Sequence, residues 1–339
     1  MVSKKFIRIT FPVILLIGLY FVGPAPESPD YETGMPEIPS APGLLEKYVE
    51  SKEHQHKLKP DNQARIVWFD SAKAKTPYSI VYLHGFSASQ EEGDPVHEKL
   101  AKAFGCNLYL SRLSDHGVDT TECMQLFTAE RIWDTAKEAL AIGEAIGDKV
   151  ILVSTSTGGT LALKLAAEFP DRVHALVNMS PNIEINNPAA FLANNPWGLY
   201  IARMVMGGKY RETSRNDETS QYWYTKYRLE SVVQLQELLE STMTDETFSK
   251  VTQPSLTLYY YKDEQHQDPE VKVSAMLEMH EKIATPSALK RHVAIPNAEA
   301  HVIGGALVSK DVESVYNEIE KFLLEIVRVE KTPIASLQD

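Results

Sequence analysis

One serine of this chain stands where a nucleophile would be built. Residues 149–159 read Lys149, Val150, Ile151, Leu152, Val153, Ser154, Thr155, Ser156, Thr157, Gly158 and Gly159. Val150 to Val153 is a short β-branched run of the kind that forms a buried strand. A helical pattern follows at once, from Thr160 to Ala167. A strand turning sharply into a helix holds the residue at the turn in a strained backbone conformation and projects its side chain. Small residues two positions to either side, Ser154 and Gly158, avoid a clash there. The helix starting at Thr157 aims its N–H groups and positive dipole end at the Ser156 oxygen, where charge develops in acyl transfer. Ser154 stands where the usual G-x-S-x-G pattern has Gly, and Ser tolerates a positive φ less well. The competing reading makes Ser156 the cap of an ordinary helix.

A serine nucleophile needs a base, an acid to orient that base, and donors for the oxyanion. His301 is the candidate base, in a loop beyond the last expected strand; His280 falls in a helical pattern and His292 inside a strand. The acid should follow the strand at 256–261, which leaves Asp263 and Asp268. A helix, a strand and three connections between acid and base need roughly 32 residues. Asp268 offers 301 − 268 = 33 and Asp263 offers 301 − 263 = 38, so Asp268 is preferred and Asp263 is the alternate. The oxyanion donors would be the backbone N–H groups of Thr157 and of Phe86, the latter in His84-Gly85-Phe86 after the apolar strand Ile80–Leu83.

These residues need a frame. Strand patterns at 65–69, 79–83, 108–110, 150–153, 173–179, 256–261 and 290–295 alternate with helical ones at 96–104, 129–146, 273–283 and 312–327. That alternation implies an α/β class, a parallel sheet covered on both faces. The core would comprise residues 61–182 and 253–329, followed by a tail at 330–339. Residues 183–252 hold helical stretches and no good strand, and read as a helical lid. Its aromatics Phe191, Trp197, Tyr200, Tyr222, Trp223, Tyr224 and Tyr227 either line an apolar cleft or pack the lid itself.

Ahead of the core, Lys4, Lys5 and Arg8 precede an uncharged apolar run from Phe11 to Val22. This fits an anchor or a secretory signal in residues 1–23, with the body exported or held outside the cytoplasm. The Pro-rich stretch that follows, within 24–60, reads as a linker that buries no core and leads into a short helix. The balance of 34 basic and 46 acidic residues gives −12, which disfavours a nucleic-acid partner. Cys106 and Cys123 could form one bridge or remain free thiols. No metal-ligand spacing occurs, and His54 and His56 lie in a charged, solvated segment.

With these motifs in place the chain resembles the α/β-hydrolase superfamily over residues 61–329. Within it the likeness is to monoacylglycerol-lipase-like and carboxylesterase-like serine hydrolases. It rests on His84-Gly85-Phe86, on Ser156 in its elbow, on Asp268 with His301, and on Leu113-Ser114-Asp115-His116-Gly117, which is similar to the family's Pro-Gly-His-Gly loop. His116 is read there as structural. The resemblance implies an eight-stranded, mostly parallel sheet with its first strands antiparallel, a small helical lid, and acyl-ester or lipid hydrolysis without a cofactor. Ser154 and the acidic stretch 263–267 depart from the pattern.

Overall fold

The computed structural model describes residues 18–332. In chain order a short helix, α1 (Pro42–Glu53), precedes β1 (Arg65–Val67) and β2 (Thr76–Leu83). Then come α2 (Val96–Ala103), β3 (Asn107–Leu110), α3 (Ala129–Ile146), β4 (Gly147–Thr155), α4 (Thr157–Glu168) and β5 (Val173–Met179). After the lid, β8 (Ser255–Tyr259), α9 (Val273–Lys282), β11 (Lys290–Ala294) and α10 (Val312–Phe322) complete the core. The sheet runs β1-β3-β2-β4-β5-β8-β11, parallel throughout except for β1 against β3. Among the described residues it has seven strands rather than the expected eight. Ahead of β1, Leu58 makes only an isolated bridge to Val118, and Pro60 with Asp61 at positive φ turns the chain away from a hairpin.

The central strands bury both faces, and their period of two divides the core. Val81 and Leu83 of β2 and Val150 and Leu152 of β4 face α3 and α4. Ile80 and Tyr82, with Ile151 and Val153, face α2 and α10 on the other side. Helix α3 starts on Thr128, whose side chain accepts the Arg131 N–H and so caps an otherwise unpaired donor.

The lid contains more than helices. Helices α5 (Gly198–Met206), α6 (Asp217–Tyr222), α7 (Leu229–Thr242) and α8 (Asp245–Lys250) are joined by an antiparallel pair, β6 (Tyr210–Glu212) with β7 (Lys226–Arg228). Three-residue strands are too short to show an alternating pattern, so the expectation of a strandless lid fails here. The aromatics divide between two roles. Trp223, Tyr224 and Tyr227 are buried, whereas Phe191 and Tyr200 are more than half exposed.

The Pro-rich stretch is no free linker. Tyr31 packs edge-on against Trp133 at 6.3 Å, and the Trp133 indole and Lys137 Nζ both donate to the Glu32 carbonyl, at 3.0 and 2.8 Å. An extended Pro-rich backbone has carbonyls without internal partners, and buried donors of α3 take them. Cys106 and Cys123 are free thiols. No helix among the described residues is long and apolar enough to cross a membrane. Residues 1–17, most of the expected anchor or signal, lie outside the described residues, as does the end of the tail.

Candidate active site

The candidate residues all sit on loops that leave the carboxyl ends of parallel strands, where open α/β sheets hold their ligands. Strand register sets their relative height: Leu83 of β2 lies opposite Ser154 of β4, and Ser154 opposite Asn178 of β5.

Ser156 has φ 54° and ψ −119°, the strained turn expected between strand and helix. Its backbone is fixed from three directions. Its N–H donates to Met179 O (3.0 Å), and its carbonyl accepts from Gly159 N (2.8 Å) and Asn182 N (2.9 Å). A side chain at Gly158 would run into the Leu83 carbonyl, which accounts for the small residue on that side. On the other side Ser154 is not among the positive-φ residues, so the position asks for small size and not for glycine. Its hydroxyl donates to Asn178 Oδ1 at 2.9 Å. Ser156 is only 6% exposed, against the sequence expectation of a side chain open at a turn. Gly85 of the oxyanion loop packs against its Cβ, where an added side chain would come within 2.9 Å.

Of the two aspartates, Asp268 meets the histidine. Its Oδ2 lies 2.7 Å from His301 Nδ1, while Oδ1 accepts the N–H groups of Glu270 (2.9 Å) and Val271 (3.0 Å). Asp263 instead pairs with His266 at 2.8 Å on an exposed hairpin, β9 (Tyr261–Asp263) with β10 (His266–Gln267). That hairpin holds the acidic stretch that departs from the family pattern. Burial would raise the Asp268 carboxyl, but His301 and the two N–H donors outweigh it and hold the group below the ordinary carboxylate range. Burial would lower His301, and the Asp268 carboxylate outweighs it, so the imidazole is held above its ordinary 6.5. Among the described residues no hydrogen bond joins Ser156 Oγ to His301. Such bonds are often long before substrate binds.

The Phe86 and Thr157 N–H groups find no acceptor among the described residues and remain available to an oxyanion. His84 supports their loop: Nδ1–H donates to Gly85 O (2.9 Å) and Nε2 accepts from Leu113 N (3.1 Å). Burial and the neighbouring His116 hold His84 well below its usual range, so the ring is neutral. His116 donates from Nδ1 to Ser114 O at 2.8 Å, and burial pushes it down to about 4. Both rings are wholly buried and serve the loop. The Phe86 ring packs edge-on against Phe127 and Tyr227, each at 5.4 Å.

Two contributors escape sequence reasoning. Asn186, at the start of the lid, donates to the Asp268 carbonyl (3.1 Å), and its N–H donates to Glu270 O (2.8 Å), pinning the acid loop. Glu92 lies in the polar run Gln90-Glu91-Glu92, which by composition reads as solvated, yet it is 2% exposed and its carboxyl accepts the Gly85 N–H of the oxyanion loop.

A family model described as the alpha/beta hydrolase fold matches residues 78–201. A search of curated proteins found no match. Solved structures resemble the chain at low identity. One, from work on the metagenome-derived lipolytic enzymes LipS and LipT, shares 18% identity at TM-score 0.63, covering 79% of this chain and 99% of its own. Est1E from Butyrivibrio proteoclasticus, with ferulic acid bound, shares 19% at TM-score 0.54, covering 78% and 95%. A monoacylglycerol lipase from Paleococcus ferrophilus shares 13% at TM-score 0.55, covering 77% and 97%. Likeness at this level establishes the fold.

Proposed function

We propose that this chain, an α/β-hydrolase by fold, cleaves carboxylic esters through an acyl-enzyme in the manner of a lipase or esterase. The observation that carries the reading is the pair of buried Asp268 and half-buried His301, 2.7 Å apart, in the same loop cluster as the strained Ser156. In this mechanism Ser156 Oγ attacks the ester carbonyl while His301 Nε2 takes its proton. The Phe86 and Thr157 N–H groups hold the oxyanion. Protonated His301, steadied by Asp268, then gives its proton to the departing alkoxide, and water repeats the cycle to free the acid. The lipolytic character of the similar structures supports an ester or lipid substrate. Peptide and thioester bonds yield to the same groups, and a non-catalytic binding protein would keep the same fold. A fluorophosphonate probe separates the last case: a working Ser156 labels, and a bare scaffold does not.

The aromatics packed around Phe86 favour apolar acyl groups over anionic ones. Butyrate and octanoate nitrophenyl esters are expected to exceed a succinate monoester in kcat/KM by about tenfold or more, since an unpaired buried charge costs more than ~1.4 kcal/mol. A preference for the succinate ester would overturn this specificity.

Attachment to a lipid surface belongs to the same reading. Among the described residues, eleven of the fourteen exposed large apolar side chains fall in residues 19–22 and 191–206. The two segments touch: the Trp197 indole donates to Leu19 O (3.1 Å) and its backbone N–H to Pro24 O (2.9 Å). The exposed apolar side chains of residues 19–22 therefore adjoin those of α5, and a bilayer is the occupant that suits both. Full-length protein is expected to float with anionic vesicles, and Met204→Glu with Val205→Glu to weaken that binding. Recovery of the untruncated native chain in the cytosolic fraction would reject the attachment.

A further inference from the structure

The turn Gln90–Gly93 is wedged between the oxyanion loop and the His301 loop. On one side a Glu92 carboxylate oxygen accepts the Gly85 N–H. A side chain added at Gly85 would meet the two Glu92 carboxylate oxygens at 2.8 and 2.9 Å and Ser156 Cβ at 2.9 Å. The carboxyl and the nucleophile thus flank one α-carbon. On the other side a side chain at Gly305 would come within 2.9 Å of the Glu92 carbonyl, and the Ala306 N–H donates to Asp94 O at 2.8 Å. The titratable and charged groups facing Glu92 are His301, Arg215 of the lid and Tyr82 of β2, with the Trp223 indole beside it. Tyr82 is neutral, its phenol bonded to Thr155 Oγ1 at 2.9 Å. Glu91 is coupled instead to Asp94 and Asp61.

We propose that Glu92 is a positioning residue of the acyl-transfer site: its buried carboxyl holds the oxyanion loop through the Gly85 N–H, across the same α-carbon that Ser156 Cβ packs against. This rests on the acyl-transfer reading of Ser156. Phe86, the oxyanion donor, follows Gly85 directly, so an ionised Glu92 would set one anion beside another in a site of low dielectric. Burial favours the neutral carboxyl and pushes it up to about 7. His301 is raised in part by Glu92. The charge state of each therefore bears on the other. With one proton between them, a proton on Glu92 leaves His301 neutral and able to act as base, whereas a proton on His301 leaves a resting ion pair. With no proton the base is ready, but the carboxylate opposes the oxyanion. Activity should rise with pH as His301 is freed and fall again as Glu92 ionises.

Glu92→Gln keeps an acceptor for Gly85 and removes the charge. Profiles of kcat/KM against pH on a neutral ester, and of the rate of fluorophosphonate labelling of Ser156, test the role. The acid limb of the variant should move to lower pH, because the carboxylate that helps raise His301 is gone. Its alkaline decline should vanish, so that above neutrality it exceeds the wild type. Arg215→Ala, a lid substitution that removes a cation favouring the ionised carboxyl, should move the wild-type alkaline limb to higher pH and gives a test if the Gln variant fails to fold. Profiles of Glu92→Gln that superimpose on the wild type, or a uniform slowing at every pH, would overturn the proposal. A wild type that neither labels nor turns over ester would instead remove the acyl-transfer reading itself.

Discussion

Ser156→Ala is expected to lose ester turnover by about 10⁶ in kcat, the scale seen when a triad serine protease loses its nucleophile. The fold should not notice. The strained φ of 54° is imposed by backbone bonds to Met179, Gly159 and Asn182, which Ala keeps. Alanine has the same Cβ, so the contact with Gly85 is unchanged. The free energy of unfolding should stay within ~0.5 kcal/mol of wild type. Turnover measured on protein purified free of host esterases, with a denaturation curve on the same sample, checks both halves. A variant that turns over at the wild-type rate would move the nucleophile elsewhere.

The second large effect concerns the acid. Asp268→Asn still offers an oxygen to the Glu270 and Val271 N–H groups. Toward His301 it presents an amide donor in place of a carboxylate, which forces the wrong tautomer and leaves the imidazolium unsupported. A loss of up to ~10⁴ in kcat is expected, as for the corresponding change in serine proteases. Asp263→Asn should cost little, because that carboxylate faces His266 on an exposed hairpin. A dead Asp263→Asn beside a healthy Asp268→Asn would transfer the role and leave the rest of the mechanism standing.

The strands that place these groups were legible because buried parallel strands and amphipathic helices leave strong periods in a sequence. The loops follow directly from strand ends, so the places of His84-Gly85-Phe86, Ser156 and His301 beyond their strands could be read in advance. The choice between Asp263 and Asp268 rested on a chain-length difference of five residues; the structure separates them by burial, a property no spacing encodes. The doubt over Ser154 came from treating small size and positive φ as one requirement. Asn178, opposite it on β5, supplies a partner that only strand register reveals. Glu92 stayed hidden for a related reason. A carboxyl in a polar run reads as solvated until the loops closing over it are known.

The clasp formed by Gly85, the 90–95 turn and Gly305 bears on how this protein could be recombined with its relatives. Segments 84–86 and 297–306 are far apart in sequence, and a crossover point between them looks harmless on a linear map. Each nevertheless fits the same acidic turn, one through the Glu92 carboxyl and the other through its carbonyl. A chimera that imports either loop alone, with any side chain at Gly85 or Gly305, would push the turn into the other loop and shift the oxyanion donor or the histidine with it. The three segments should be inherited as one block, and a library that splits them should return folded proteins with silent sites.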